Sequence, residues 1–216
     1  MSDESLHAKI ILPSVATEEE LQNELQKVLS LNVGHVRGVS LKSDSIKAIE
    51  AKAGAGSTEK IQNKIKQLGF EVDYTKIDSY SWYPAGYDSA LYLTAMHLFS
   101  WKREDIIDLA RISTRGSILI KIIMRFVSMK TTLSGGPGVW RKYYDFGKLV
   151  PVEYSEKNSF IRFQIREYNV HPINELFHAG YFQGVVELVT GSKDVVVEVL
   201  SSVSHSDTCT EYKISW

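Results

Sequence analysis

The stretch VWRKYYDFG, Val139 to Gly147, decides how the C-terminal two-thirds of this chain is read. It is aromatic and basic, reads as the end of a helix, and leads at Gly147 into alternating sequence. Lys148 to Tyr154 and Ser159 to Tyr168 alternate as two strands across the turn residues SerGluLysAsn. Ile161, Phe163 and Ile165 mark one face of the second strand and Arg162, Gln164 and Arg166 the other, so one face is predicted buried and one wet. Pro172 suits the first position of a helix, because its missing N–H is one that a helix start leaves unused. Ile173, Phe177, Tyr181, Val185 and Leu188 then form a stripe that ends near Thr190. Gly180 and Gly184 stand four apart on that helix and, lacking side chains, let another backbone or a flat ligand come close. Val195 to Val203 and Thr210 to Trp216 close as an antiparallel pair. The order hairpin, helix, strand pair predicts helices packed on an antiparallel sheet, an α+β fold.

Upstream, Tyr80, Trp82, Tyr83, Pro84 and Tyr87 form an aromatic cluster that needs a surface to lie against, either a core or the wall of a ligand pocket. Asp88 and Ser89 can cap a helix over Ala90 to Phe99, and a second helix is expected over Lys102 to Ile112. A third, Gly116 to Met129, is apolar almost all round and too short to span a bilayer. It is expected to be buried on several sides, one of them against a second subunit. SerGlyGlyProGly, 134 to 138, lacks the GxxxxGK[ST] spacing and lysine of a phosphate loop and reads as a turn or mobile lid.

The N-terminal third reads as strand, helix, strand, strand, helix, strand. His7 to Leu12 is a β-branched run. Thr17 with Glu20 three residues on forms a capping box before Leu21, Leu25, Val28 and Leu29. Strands are expected over His35 to Leu41 and across Ile46, Ala48 and Ala51. Ser57 or Thr58 then caps a helix carrying Ile61, Ile65 and Leu68, Gly69 ends it, and Phe70 to Tyr74 is the last strand. That order is ferredoxin-like, βαββαβ, over residues 1–75. The segment STEKIQNKIKQLGFEVDY, 57 to 74, resembles the final helix and strand of heavy-metal-associated domains. Those domains carry metal on a CxxC pair in the first loop. Residues 13 to 17 here are ProSerValAlaThr, without the thiolates that a soft metal needs.

Residues from about Tyr80 to Trp216 resemble the 4-vinyl reductase domain superfamily, which includes TRAPP small subunits and haem nitric-oxide-binding domains. The match lies in WRKYYDFG stepping into a hairpin, in the helix with HAGYFQGVVEL at 178 to 188, and in the final strand pair with its cysteine and aromatic end. The resemblance implies helices against an antiparallel sheet, dimerisation through helices and an apolar pocket for a molecule such as an acyl chain or tetrapyrrole. Two departures narrow it. Members often place two cysteines eight residues apart in the last hairpin, where this chain has Ser201 and Cys209, so no metal site is expected. The Tyr-x-Ser-x-Arg motif of the haem-binding branch is absent, so no particular cofactor is implied.

The chain has 216 residues, 44% hydrophobic and 24% charged, a globular composition long enough for the two expected domains, 1–75 and 80–216. A net charge of −1 disfavours nucleic acid as a partner, since binding it requires a basic excess to displace counterions. One cysteine, no secretion signal and no apolar run of ~18 residues place the protein in the cytoplasm without a membrane span. No catalytic constellation is legible. The candidate ligand-binding residues are Trp82, Tyr83, Trp140, Tyr144, His178, Gly180, Tyr181, Gly184 and Cys209. The function expected is non-enzymatic: a homodimeric sensor or adaptor whose second domain holds a hydrophobic small molecule and whose first domain passes on or stabilises the bound state, with a protein partner among the expected contacts. Alternatives are a tetrapyrrole-related reductase or its accessory factor, and a structural assembly subunit.

Overall fold

The structure, a computed structural model, describes residues 10–116 and 128–216. Most of the helix expected over Gly116 to Met129 lies outside the described residues. The elements are helix α1 (Glu18–Leu29), strand β1 (His35–Arg37), a continuous helical run α2 (α-helical at Gly38–Ser40, π-helical at Leu41–Ile46, α-helical again at Lys47–Ala53) and α3 (Ser57–Gln67). A 3₁₀ turn (Tyr74–Lys76), β2 (Trp82–Pro84), α4 (Gly86–Phe99), α5 (Arg103–Gly116) and α6 (Met129–Tyr143) follow. The chain ends with β3 (Lys148–Ser155), β4 (Phe160–Arg166), α7 (Pro172–Thr190), β5 (Val196–Ser201), a short 3₁₀ turn and β6 (Cys209–Ser215).

The α+β class is as expected. Helices pack against a four-stranded antiparallel sheet in the order β3-β4-β6-β5. Ile161, Phe163 and Ile165 of β4 are buried and sit opposite Ile214, Tyr212 and Thr210 of β6. On the outer face Arg162 is held by Glu211 at 2.6 Å and Glu153 at 3.0 Å. That alternation is the buried and wet pair of faces read from the sequence.

The N-terminal element order is corrected. Ile10 to Leu12, the described part of the first expected strand, are irregular, with the Ile10 carbonyl accepting from Arg103 at 2.8 Å. The strand expected over His35 to Leu41 is limited to β1, and the one expected across Ile46 to Ala51 is helical. The physical reason is periodicity: Leu41, Ser45, Ala48 and Ile49 are buried at spacings of four, three and one, which a helix face accommodates and a strand face does not. Phe70 to Asp73 is irregular, although Val72 is buried. A two-stranded pairing replaces the βαββαβ sheet: β1 joins β2, with Val36 opposite Tyr83. Among the helices, α1 keeps its capping box, since Thr17 accepts from the Glu20 N–H and the Glu20 carboxylate accepts from the Thr17 N–H.

Helices of the first third pack on those of the second. At Gly86 the first turn of α4 meets the end of α1 so closely that a Cβ there would lie 2.0 Å from the Val28 carbonyl oxygen. His171 caps α7 by accepting from the Ile173 N–H through Nδ1. This fixes the proton on Nε2, which donates to Glu24 of α1 at 3.2 Å.

The centre of the fold is α7, buried on nearly every side. It lies against α5 where Gly180 faces Ile107 and Gly184 faces Thr114. A Cβ at Gly180 would stand 2.4 Å from the Ile107 carbonyl oxygen, so glycine sets the distance between the two helices. The opposite side of α7 meets the sheet, with Phe182 edge-on to Phe163 at 4.4 Å between ring centroids.

One element differs in kind. Residues Ser134 to Gly138, expected as a turn or lid, lie inside α6. Three interior glycines disfavour a helix by about 1 kcal/mol each relative to alanine, and an interior proline by about 3 kcal/mol. Packing compensates little, because among the α6 residues only Met129 and Trp140 are buried.

Gly180→Ala is expected to lower stability by about 2 kcal/mol or more, read as a fall in the urea midpoint at unchanged slope. Gly135→Ala, where a Cβ meets nothing within 4 Å, is expected to raise it by up to about 1 kcal/mol.

Candidate functional site

Beneath α6 lies an apolar cavity of about 110 Å³. Its roof is the inner face of α6: Met129, Thr132, Leu133, Gly136, Val139, Trp140 and Tyr143. Its floor is Leu149, Ile161 and Phe163 of the sheet, and one wall is Phe177, His178, Tyr181, Phe182, Val185 and Val186 of α7. Tyr144 lies just past the roof helix, and Ser40 and Asp44 of α2 add a polar edge.

His178 is the polar group set among these rings. Its imidazole is 5.1 Å from the ring of Tyr168, 5.6 Å from Trp140, 6.2 Å from Phe182 and 6.4 Å from Tyr144, centroid to centroid. Nδ1 is buried and has no hydrogen-bond partner. Burial pushes the imidazole down to about 3, so the ring is neutral near pH 7. A neutral imidazole has one N–H to donate and one lone pair to accept with. Leaving such an atom unsatisfied costs about 1–3 kcal/mol, which a polar atom placed in the cavity would recover.

The rings around the histidine pack on one another. Trp140 stacks on Tyr144 at 4.4 Å, Phe146 stacks on Tyr168 at 4.9 Å, and the Trp140 indole N–H donates to the Phe146 carbonyl at 3.1 Å. Asp145, between these rings, ties the turn after α6 to β1: its carboxylate accepts from the His35 N–H at 2.6 Å and lies 2.7 Å from the imidazole. Burial raises the phenols of Tyr144 and Tyr168 well above their ordinary range, so both stay protonated.

A second buried polar set connects α2 with α4. The Tyr92 hydroxyl lies 2.7 Å from the Ser45 hydroxyl, and Ser45 donates to Asp88 at 2.6 Å. Burial pushes Asp88 up to about 6, against which the Ser45 hydrogen bond acts only partly. On the cavity edge Ser40 donates to Asp44 at 3.2 Å.

Four of the nine residues nominated from the sequence, Trp140, Tyr144, His178 and Tyr181, line the cavity. Gly180 and Gly184 face α5, at the helix crossing. Trp82 lies on β2, with the Arg37 guanidinium 4.3 Å over its ring, and Tyr83 packs beside Tyr87. Cys209 begins β6, half-buried, its carbonyl accepting from the Ser201 hydroxyl at 2.9 Å, and its Sγ lies 4.0 Å from that hydroxyl. Among the described residues no group of three or more histidines, cysteines and acids is arranged to hold a metal. The sequence reading missed Met129, Leu133 and Gly136, and with them the roof of the cavity. Their spacing with Trp140, at steps of four, three and four, is a helical stripe hidden behind the glycines and proline.

No family model matches the chain, and no curated protein matches it. A solved structure from work on modulating heme redox potential through protein-induced porphyrin distortion is similar over 82% of this chain and 98% of its own, with a TM-score of 0.52 at 11% identity. At that identity the likeness is one of fold: helices packed against an antiparallel sheet. Among the described residues no helix is long and apolar enough to cross a membrane.

The two buried groups give stability opposite slopes with pH. Asp88 binds its proton more tightly in the folded chain, near 6, than in the unfolded one, near ~3.8, so stability falls as pH rises through that window. His178 binds its proton more weakly when folded, near 3 against 6.5, so stability falls as pH drops below about 6.5. Asp88→Asn is expected to stabilise the protein at pH 8 by about 2–3 kcal/mol and to be near neutral at pH 4, measured by urea unfolding at each pH. His178→Phe is expected to flatten the acid limb between pH 6.5 and 4 in the same measurement.

Proposed function

We propose that this protein is a non-enzymatic binding protein for a small, largely apolar molecule, held in the cavity between α6, α7 and the sheet. The observation that carries this reading is the unpartnered Nδ1 of His178 within an apolar cavity. The ligand is of single-ring size with one hydrogen-bonding atom. An engineered cavity of about 150 Å³ lined by aliphatic and aromatic side chains holds benzene, and 110 Å³ is of that order. The aromatic cage supplies contact area, and His178 supplies orientation.

The structural relative comes from work on heme, and this cavity is a poor match for a porphyrin. Its volume lies below the roughly 300 Å³ at which sites for drug-sized ligands begin. Its described lining carries the acid Asp44 and neither lysine nor arginine, so propionates find no cation there. His178 is therefore read as a hydrogen-bonding anchor and not as an axial ligand.

The sensor role is part of the proposal. Ligand bound against α6 would bear on Tyr144, and through the neighbouring Asp145 on β1, whose backbone the carboxylate holds. A homodimer is proposed with it, on the apolar sequence from Ser117 to Met129. Native mass spectrometry of freshly purified protein reads both claims, the subunit count and any extra mass that leaves on denaturation.

The binding claim is tested by calorimetry with phenol and benzene, a pair alike in shape and differing by one hydroxyl. Phenol is expected to bind at least tenfold more tightly, and His178→Phe to abolish the difference. Val186→Phe, which puts a ring into the cavity from α7, is expected to remove binding of both while the protein stays folded. Failure of both probes to bind the native chain would overturn the reading.

A further inference from the structure

The helix that roofs the cavity is unlike the elements that floor it. Thr132, Leu133, Gly136 and Val139 line the cavity, so the inner face of α6 looks partly onto space, with Leu149 of β3 close against Gly136. Between them lies SerGlyGlyProGly, the sequence least suited to a helix interior. Pro137 has no N–H to give to the Leu133 carbonyl, and its ring crowds that oxygen. Positions 135 and 138 are open outward, with nothing within 4 Å of an added Cβ. Both ends of the helix are fixed by contrast. Ser128 caps the start by accepting from the Thr131 N–H at 3.2 Å, and Met129 is buried. At the other end Trp140 is buried, stacked on Tyr144 and bonded to the Phe146 carbonyl.

A helix with little intrinsic preference and only half-buried residues at its middle, held more firmly at both ends, opens at that middle. We propose that the turn from Leu133 to Val139 is the gate of the cavity: it unwinds locally to admit the ligand and rewinds over it, while Trp140 stays in place as the hinge. The inference rests on the cavity being a ligand site and adds how that site is reached. Among the described residues the floor and the α7 wall are more closely packed. Phe163 meets Phe182 edge-on and stacks on Tyr212, these two rings also touching each other, and α7 is clamped to α5 at Gly180. Local opening of this kind follows the general rule that the least packed elements have the lowest opening free energies.

The test uses the full chain and a variant with a stiffened roof, Gly135→Ala with Pro137→Ala and Gly138→Ala; Pro137→Ala alone serves where the triple variant does not fold. Hydrogen exchange of the ligand-free protein is read first. In the native chain the amides from Ser134 to Trp140 are expected to exchange at least 100-fold faster than those in the middle of α7, and the substitutions to slow them at least tenfold. Phenol association and dissociation are then followed by stopped-flow tryptophan fluorescence. Both rate constants are expected to fall at least tenfold in the stiffened protein, with the dissociation constant unchanged within about threefold, as for a gate that acts on both directions alike. Amides of the roof as slow as those of α7 in the native chain would overturn the gate whether or not phenol binds. Slower exchange with unchanged phenol rates would overturn it too, by locating the path elsewhere. Absence of phenol binding to the native chain sinks the ligand reading, and the gate then stands or falls on the exchange result.

Discussion

Everything about the cavity depends on how near α7 comes to α5. Gly180 lets the Ile107 carbonyl of α5 occupy the place of a side chain, and Gly184 does the same for Thr114. With one face of α7 spent on that contact, Phe177, His178, Tyr181 and Phe182 turn toward α6, α4 and the sheet. Phe177 stacks on Tyr92 of α4 at 4.6 Å, Phe182 meets Phe163, and His178 is left between them facing the space under α6. A helix one methyl further from α5 would press these rings into the cavity. The volume available to a ligand is therefore set on the side of α7 that never touches it.

Most polar groups in this interior follow one pattern; among the described residues Thr58 Oγ1 and Arg111 Nε depart from it, as does His178 Nδ1 beside the cavity. Glu175 accepts from Ser202, Thr210 and the Ser204 N–H, His171 is satisfied at both nitrogens, and Asp88 is held by Ser45. Each of these ties two elements: α7 to the last strand pair, α7 to α1, or α2 to α4. His178 ties nothing through Nδ1. Buried polar atoms in proteins are overwhelmingly paired, and an unpaired one beside a void is a place where a partner from outside fits.

How far the fold was legible depended on periodicity. The antiparallel sheet was readable because Ile161, Phe163 and Ile165 alternate with charged residues, and α1 and α3 because their apolar residues recur at helical spacing behind a cap or ahead of Gly69. The run from Gly38 to Ala53 was not, because its glycine and serines read as turn residues between short apolar segments; its alanines and the adjacent pair Ala48 and Ile49, both buried, were the discriminating sign. Of the site, the aromatic residues and His178 were visible as residue types that pockets use. The role of Gly180 and Gly184 was visible only as close approach, since a sequence does not say whether a helix or a ligand comes near. The roof of the cavity was hidden because local propensity and tertiary placement disagree at Ser134 to Gly138.

The sheet has consequences beyond the cavity it floors. Among the described residues its two outer strands, β3 and β5, have backbone groups without a neighbouring strand, the usual template for another chain to add itself. In β3 the ladder with β4 shifts register between Pro151 and Glu153, and Pro151 has no N–H to offer a newcomer. In β5 it shifts between Val199 and Ser201. Each rim is thus broken into short pairing runs, and an incoming strand would lose its match after a few residues. The layer that floors the cavity is interrupted at both margins by irregularities in its own weave.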